Sequence, residues 1–191
     1  MAVELIWNNP PIGVARGILS EEDCKSLVDI AIESRKTLKQ LVSPQPYWAD
    51  KQITVFSDYK YFYKIQPLIN QAFLEYIEIS NQKPPTIVDP YDSGIQFYNI
   101  TEWKEGENME EHFDTKEYGI VFYLNNNFEG GELYYRNSDD EIFLELKPEP
   151  GMVVFHPHTV KHGTKKVISG TRYVTTAFRG IHMMEIPDGA V

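Results

Sequence analysis

A chain of 191 residues and 22.1 kDa has room for one domain with a sizeable core, and its 42% apolar and 24% charged residues exclude a disordered chain. Its 18 Lys+Arg against 28 Asp+Glu leave a net charge of −10, which opposes attraction to phosphate backbones and argues against nucleic acid as a partner. One cysteine excludes disulfide frameworks and Cys-rich zinc modules. The first ten residues lack a basic, apolar leader, and no run approaches the roughly 20 apolar residues of a membrane helix, so a cytoplasmic chain with no membrane partner is expected. The 13% aromatic residues favour a sheet-rich fold.

In chain order, Ser20-Glu21-Glu22-Asp23 reads as a helix cap followed by an acidic first turn. Cys24, Leu27, Val28 and Ala31 then recur with helical period. A second helix is expected from about Pro67 to Ser80, with Pro67 in its first turn and Leu68, Ile69, Ala72, Phe73, Tyr76 and Ile77 on its apolar stripe. Beyond Pro84-Pro85 the period changes to short β-rich runs: Ile95–Ile100, Tyr118–Leu124, Glu132–Tyr135, Ile142–Leu146, Met152–Phe155 and Thr171–Phe178. Turn residues break them at Asn125–Asn127, Gly130-Gly131, Asn137–Asp140, Pro148–Gly151 and Ser169-Gly170. The expectation is one domain over 1–191, with a helical support region at 1–85 and a sandwich, jelly roll or barrel at 91–180.

Phosphate-binding glycine loops, H-E-x-x-H, G-x-S-x-G and C-x-x-C are all absent. Histidine remains. On a strand, His112 and Asp114 would project side by side, and an imidazole and a carboxylate so placed can reach one metal ion. His162, 50 residues on, could complete a two-histidine, one-carboxylate face, the open arrangement of non-haem Fe(II) oxygenases. Taken alone, H-x-D is as compatible with a surface salt link. If Thr171–Phe178 is a strand, Arg172, Val174, Thr176 and Phe178 share one face, and an inward arginine needs an anion. That anion is either an internal Asp or Glu, or a dicarboxylate co-substrate gripped by the planar fork.

At this point the sequence resembles the Fe(II)- and 2-oxoglutarate-dependent dioxygenases of the prolyl 4-hydroxylase type. The resemblance is carried by Leu19–Cys24, by Gly106 with His112-Phe113-Asp114, and by Tyr123-Leu124-Asn125 followed by Gly130-Gly131-Glu132-Leu133. Its closing block is Gly151–Phe155 followed by His162, Val167, Gly170 and Arg172. It implies a double-stranded β-helix (jelly roll) core at 91–180, mainly β, with amino-terminal helices packed on one sheet. It further implies His112, Asp114 and His162 as iron ligands and catalytic residues. Arg172 and Tyr123 would hold the far carboxylate of 2-oxoglutarate, with Tyr98 as a further candidate contact. The cofactors would be Fe(II), 2-oxoglutarate and O2, with ascorbate as an optional reductant.

Three positions depart from the family pattern. Met109 stands where it usually has tyrosine, and Phe178 where it has tryptophan. Its Y-x-x-G segment is either Trp103–Gly106, with the tyrosine replaced, or Tyr98 with a short insertion. Trp103, Met109 and Phe178 are thus candidates for a substrate mouth. His156 and His158 read as rim or surface residues, because Pro157 disfavours a regular strand; His158 is a candidate support for the metal site. His182 reads as exposed, Cys24 as a small core residue, and Tyr134-Tyr135 with Trp48 and Trp103 as packing on the sandwich or a peptide groove. The activity implied is hydroxylation of an unactivated C–H bond, foremost of a prolyl residue in a peptide or protein. Behind it stand a free amino acid or other side chain, a non-catalytic metal-binding jelly roll, a cupin-type isomerase and a demethylase of alkylated bases. Oligomeric state is not legible.

Overall fold

A computed structural model describes residues 2–37, 52–54, 59–87 and 99–182. The amino-terminal half contains β1 (Val3–Asn8), β2 (Pro11–Ala15), α1 (Glu21–Thr37), β3 (Gln52–Thr54) and α2 (Tyr59–Ile79). The rest is strand: β4 (Asn99–Lys104), β5 (Lys116–Tyr123), β6 (Glu129–Gly130), β7 (Leu133–Arg136), β8 (Ile142–Leu146), β9 (Val153–Pro157), β10 (Lys161–Thr164), β11 (Val167–Ser169) and β12 (Thr171–His182). Antiparallel pairing builds a seven-stranded sheet in the order β1-β2-β9-β5-β12-β4-β3, a three-stranded sheet β10-β7-β8 and a β11-β6 pair. The fold is a mainly β jelly roll with both helices on the outer face of the larger sheet.

Strand alternation divides the side chains between two cores. Along β5, Tyr118, Ile120 and Phe122 go beneath the helices, and Tyr123 goes between the sheets. On β9, Val153 and Phe155 face the helices while Val154 faces inward. On β12, Tyr173 and Ala177 face the helices while Val174 faces inward. The inner core, with Ile12, Val14, Leu133, Tyr135 and Val160, forms the floor on which the site is built.

The helix α1 starts where its cap predicts: the Asp23 amide donates to Ser20 Oγ at 3.1 Å. Cys24, Leu27 and Ala31 are buried, which makes Cys24 a core residue whose thiol burial pushes up to about 11. Arg35 then reaches Glu102 of β4 at 3.0 Å, and Tyr173 donates to the same carboxylate at 3.1 Å, tying helix to sheet.

The helix α2 does not begin at Pro67 but carries it in its interior. Pro67 is exposed, and the preceding turn adds buried Ile65 to the stripe of Ile69, Ala72, Phe73 and Tyr76. Burial of Ile65 works against the roughly 3 kcal/mol that an interior proline costs. The amino-terminal region is also not purely helical, since β1 and β2 extend the larger sheet. All five β2 residues are buried, so the strand lacks the polar-apolar alternation that would have marked it.

Close approach of α2 to β2 is possible because Gly13 lacks a side chain: a Cβ there would lie 2.5 Å from the Tyr76 ring. Tyr76 stacks on Phe155, with centroids 5.5 Å apart, and its buried hydroxyl donates to the Pro11 carbonyl at 2.9 Å. Tyr76→Phe keeps the ring and deletes that bond. It should lower stability by about 1 kcal/mol and the melting temperature by about 2–4 °C, read by thermal unfolding. Among the described residues no helix is long and apolar enough to cross a membrane.

Candidate active site

A cavity of about 320 Å³ opens between the sheets. One face of β12 supplies Arg172, Val174, Thr176 and Phe178 to it, as the period of two requires. Trp103 of β4 lies opposite Arg172 in the ladder and lines the same wall.

His112 and Asp114 are not on a regular strand. His112 forms an isolated bridge to His162 of β10, and Asp114 sits in the segment leading to β5. The two histidines exchange backbone bonds: the His112 amide donates to the His162 carbonyl at 2.9 Å, and the His162 amide to the His112 carbonyl at 3.0 Å. The bridge takes the place of strand alternation in setting the geometry, because it pins two histidines of distant sequence face to face. Met109 reinforces it, its amide donating to Thr164 Oγ1 at 2.8 Å and its carbonyl accepting from the Thr164 amide at 3.0 Å.

Each imidazole is oriented through its Nδ1, His112 toward the Glu110 carbonyl at 2.8 Å and His162 toward the Val160 carbonyl at 3.1 Å. A carbonyl partner requires an Nδ1–H, so each Nε2 is left as a lone pair. Both lone pairs face Asp114 Oδ1, at 3.6 Å from His112 and 3.8 Å from His162. One ligand atom from each of the three residues lies within 4.8 Å of the others. Three acceptors converging with no proton between them are the donor set for a cation, and two nitrogens with one oxygen suit Fe(II).

The electrostatics agree. Burial alone would raise the Asp114 carboxyl, but the adjacent His112, the hydrogen bond from His156 and the nearby His162 hold it well below the usual carboxylate range. Burial, with His156 beside it, drives His162 down to about 3, so its imidazole is neutral at physiological pH and can offer a lone pair to a cation. For His112 burial pulls downward, yet contact with Asp114 and Glu110 leaves it raised.

His156 is neither a rim nor a surface residue. It is fully buried, with Nε2 at 2.9 Å from Asp114 Oδ2 and Nδ1 at 3.0 Å from the hydroxyl of buried Tyr135. Pro157 does not break the strand before it, because it is the last residue of β9. The inward position of Val154 implies that His156, two residues on, points inward too; that was the available signal. His158 is half-buried and does not line the cavity.

Arg172 is 2% exposed, its Nε has no hydrogen-bond partner, and its guanidinium lies 5.3 Å from the Tyr123 ring centroid. Among the described residues it makes no ion pair, so the internal Asp or Glu alternative finds no support. The Tyr123 hydroxyl is also buried without a partner. Burial raises its pKa, so it remains a donor. A buried, unpaired cation beside an idle hydroxyl, in the cavity of the His112–Asp114–His162 cluster, fits a dicarboxylate.

Met109 and Phe178 line the cavity, and Phe178 is 48% exposed at its opening. Trp103 is 4% exposed, a deep wall beside Arg172 rather than a rim. Of the neighbouring tyrosines, Tyr134 donates to Glu111 at 3.1 Å on the outer face, and Tyr135 belongs to the inner core. Tyr98 and Trp48 lie outside the described residues, and His182 closes β12.

Comparison with known proteins returns a family model, the 2OG-Fe(II) oxygenase superfamily, over residues 95–179. No curated protein matches the chain. Among solved structures, a viral collagen prolyl hydroxylase of Paramecium Bursaria Chlorella virus-1 in complex with 2OG aligns with TM-score 0.57 and 16% identity, over 89% of this chain and 96% of that one. A Trichoplax adhaerens prolyl hydroxylase, in complex with a peptide fragment of the hypoxia inducible factor oxygen degradation domain, aligns with TM-score 0.58 and 12% identity over 91% and 84%. A 2OG-Fe(II) oxygenase family oxidoreductase from Burkholderia pseudomallei aligns with TM-score 0.43 and 14% identity; 61% of this chain is covered, and it spans half the length of that protein.

Proposed function

We propose that residues 95–179, which match the family model of the 2OG-Fe(II) oxygenase superfamily, are a domain of that superfamily and that the chain hydroxylates a prolyl residue in a peptide or protein. The reaction joins one oxygen atom of O2 to a substrate C–H bond and the other to 2-oxoglutarate, which leaves as succinate and CO2. One observation carries the reading: three converging lone-pair donors share a cavity with a buried, unpaired arginine. A structural metal site has no use for that arginine, which disfavours the non-catalytic jelly roll.

His112, Asp114 and His162 would hold Fe(II), which supplies the oxygen-activating redox chemistry when bound together with 2-oxoglutarate. Arg172 neutralises the far carboxylate of 2-oxoglutarate by a charge-assisted contact, and Tyr123 donates its hydroxyl to the same group. Val174, Leu133 and Val121 give the cavity apolar walls that exclude water. Met109 and Phe178, flanking the opening, would seat an uncharged ring and orient one C–H bond inward.

The prolyl assignment draws on the peptide-bound and collagen-directed neighbours and on the uncharged opening. Its test is incubation with Fe(II), 2-oxoglutarate and a proline-containing peptide pool, reading succinate release and a 16 Da mass gain by mass spectrometry. A gain on proline, lost when 2-oxoglutarate is omitted, is expected. Succinate release with the gain on another residue or on a free amino acid would overturn the prolyl substrate but not the oxygenase. No Fe(II)-dependent succinate release under any condition would sink both.

A further inference from the structure

We propose that His156, backed by Tyr135, is a positioning residue that commits Asp114 to a single metal-facing oxygen. The inference rests on His112, Asp114 and His162 being a metal site, and concerns a residue outside that ligand set. The two oxygens of Asp114 have different environments. Oδ1 faces the Nε2 lone pairs of His112 at 3.6 Å and His162 at 3.8 Å, whereas Oδ2 is taken by His156 Nε2 at 2.9 Å. A hydrogen bond from His156 to Oδ2 draws charge from that oxygen and fixes the carboxylate plane, which favours Oδ1 toward the cluster and Asp114 as a one-point ligand. That leaves room at an octahedral ion for a two-point co-substrate and a further small molecule.

The direction of the chain of bonds follows from chemistry. A carboxylate only accepts, so His156 must donate from Nε2, and in the neutral ring Nδ1 is then an acceptor. Tyr135 meets that need: its hydroxyl stands 3.0 Å from Nδ1, and burial holds the phenol protonated. Tyr135 thereby fixes the tautomer and the ring plane of His156, which fixes Asp114. His156 and Tyr135 are fully buried and Asp114 is 8% exposed, so water does not substitute for either bond. The pairs are 42 and 21 residues apart in sequence, so the relay is made by the fold rather than by a local turn.

An independent feature points to the same pair. Gly119 stands opposite His156 in the β5-β9 ladder, and a Cβ there would lie 1.9 Å from Asp114 Oδ2 and 2.2 Å from His156 Nε2. The central β5 strand therefore lacks a side chain at the one point where the carboxylate and the imidazole meet. A glycine in the middle of a strand is locally costly, and its backbone here is not in the left-handed region. Accommodation of the Asp114–His156 contact accounts for it.

His156 is close enough to be mistaken for a fourth ligand, its ring centroid lying 4.3 Å from that of His162. Its Nε2 is already engaged by Asp114, however, and it falls outside the three residues whose ligand atoms converge.

The test is titration of the purified protein with Co(II), followed by visible absorption, for wild type, Asp114→Ala, His156→Leu, His156→Gln and Tyr135→Phe. Thermal unfolding of the metal-free proteins accompanies it. His156→Leu should weaken Co(II) binding about 10–100-fold. His156→Gln, whose amide N–H can reach Oδ2, should recover most of that loss with the Co(II) band unmoved, because the ligands are unchanged. Tyr135→Phe should lose less than His156→Leu. If His156→Leu does not fold, the Gln and Phe variants still decide. Wild-type affinity in both Tyr135→Phe and His156→Leu overturns the relay, as does a displaced Co(II) band in His156→Gln, which would make His156 a ligand. If wild type binds no Co(II), the metal-site reading itself fails; if Asp114→Ala abolishes binding and His156→Leu does not, only the positioning role falls.

Discussion

Arg172→Met should weaken 2-oxoglutarate binding while leaving the unliganded fold at least as stable as wild type. The guanidinium is buried at 2% exposure with Nε unsatisfied and no ion pair among the described residues. In the free protein it is therefore a desolvation cost that an apolar side chain of similar length does not carry. With the dicarboxylate bound, the same group completes a desolvated, charge-assisted pair, and truncation of such a pair costs about 2–5 kcal/mol, or about 30- to 4,000-fold in affinity. Two measurements read both halves. Titration with 2-oxoglutarate in the presence of Mn(II) should show the loss. Thermal unfolding without ligand should show an unchanged or raised midpoint, whereas 2-oxoglutarate at about 100 times the wild-type dissociation constant should stabilise wild type by about 2.7 kcal/mol and the variant by less than about 1 kcal/mol. A variant markedly less stable than wild type without ligand would mean that Arg172 serves an internal ion pair instead.

His162→Ala should abolish tight divalent-metal binding and with it succinate release, whereas His158→Ala should keep both. Of the three histidines between 156 and 162, only His162 presents a free Nε2 toward Asp114 Oδ1, its Nδ1 being held by the Val160 carbonyl. Loss of one of three ligands should exceed the about 10–100-fold effect of losing an outer partner. Equilibrium titration with Co(II), and the thermal shift that added metal causes in wild type, both check it. Equal loss in His158→Ala would reassign the ligand and sink the proposed donor set. The contrast is informative because the two residues are four apart, His158 on the short connection between the two sheets and His162 on β10, and only backbone geometry separates their roles.

Much of the fold was legible because its signals are local. The α1 cap is set within four residues, and the alternation of β5 and β12 within eight to twelve. What was misread needed distant partners. Pro67 resembles a helix start, yet burial of Ile65 against the core carries the helix through it. The strand β2 is apolar on both faces because Ala15 packs beneath the helices while Ile12 and Val14 pack between the sheets, so its own sequence has no period to read. His112 and Asp114 were expected to share a strand face; they converge instead because His112 bridges to His162. The spacing of His112, Asp114, His162 and Arg172 was visible in the sequence as an ordered motif, whereas the burial of His156 was not, and Pro157 pointed the wrong way.

By itself the sequence determined the chemical alphabet of the site: no thiolate framework, a histidine-carboxylate tripeptide, a second histidine and one arginine on an alternating strand. Those are properties of residue identity and short spacing. Only the tertiary structure decided which imidazole nitrogen is free, that Arg172 is buried without an anion, and that Asp114 is gripped from behind by His156 across a strand thinned to glycine at residue 119. The burial of Arg172 and the contact of Asp114 with His156 depend on groups brought together from distant parts of the chain, and on the removal of water that makes an unpaired charge or an unfilled hydrogen bond costly. Proximity and desolvation are created when the sheets close, and neither is written in any one strand.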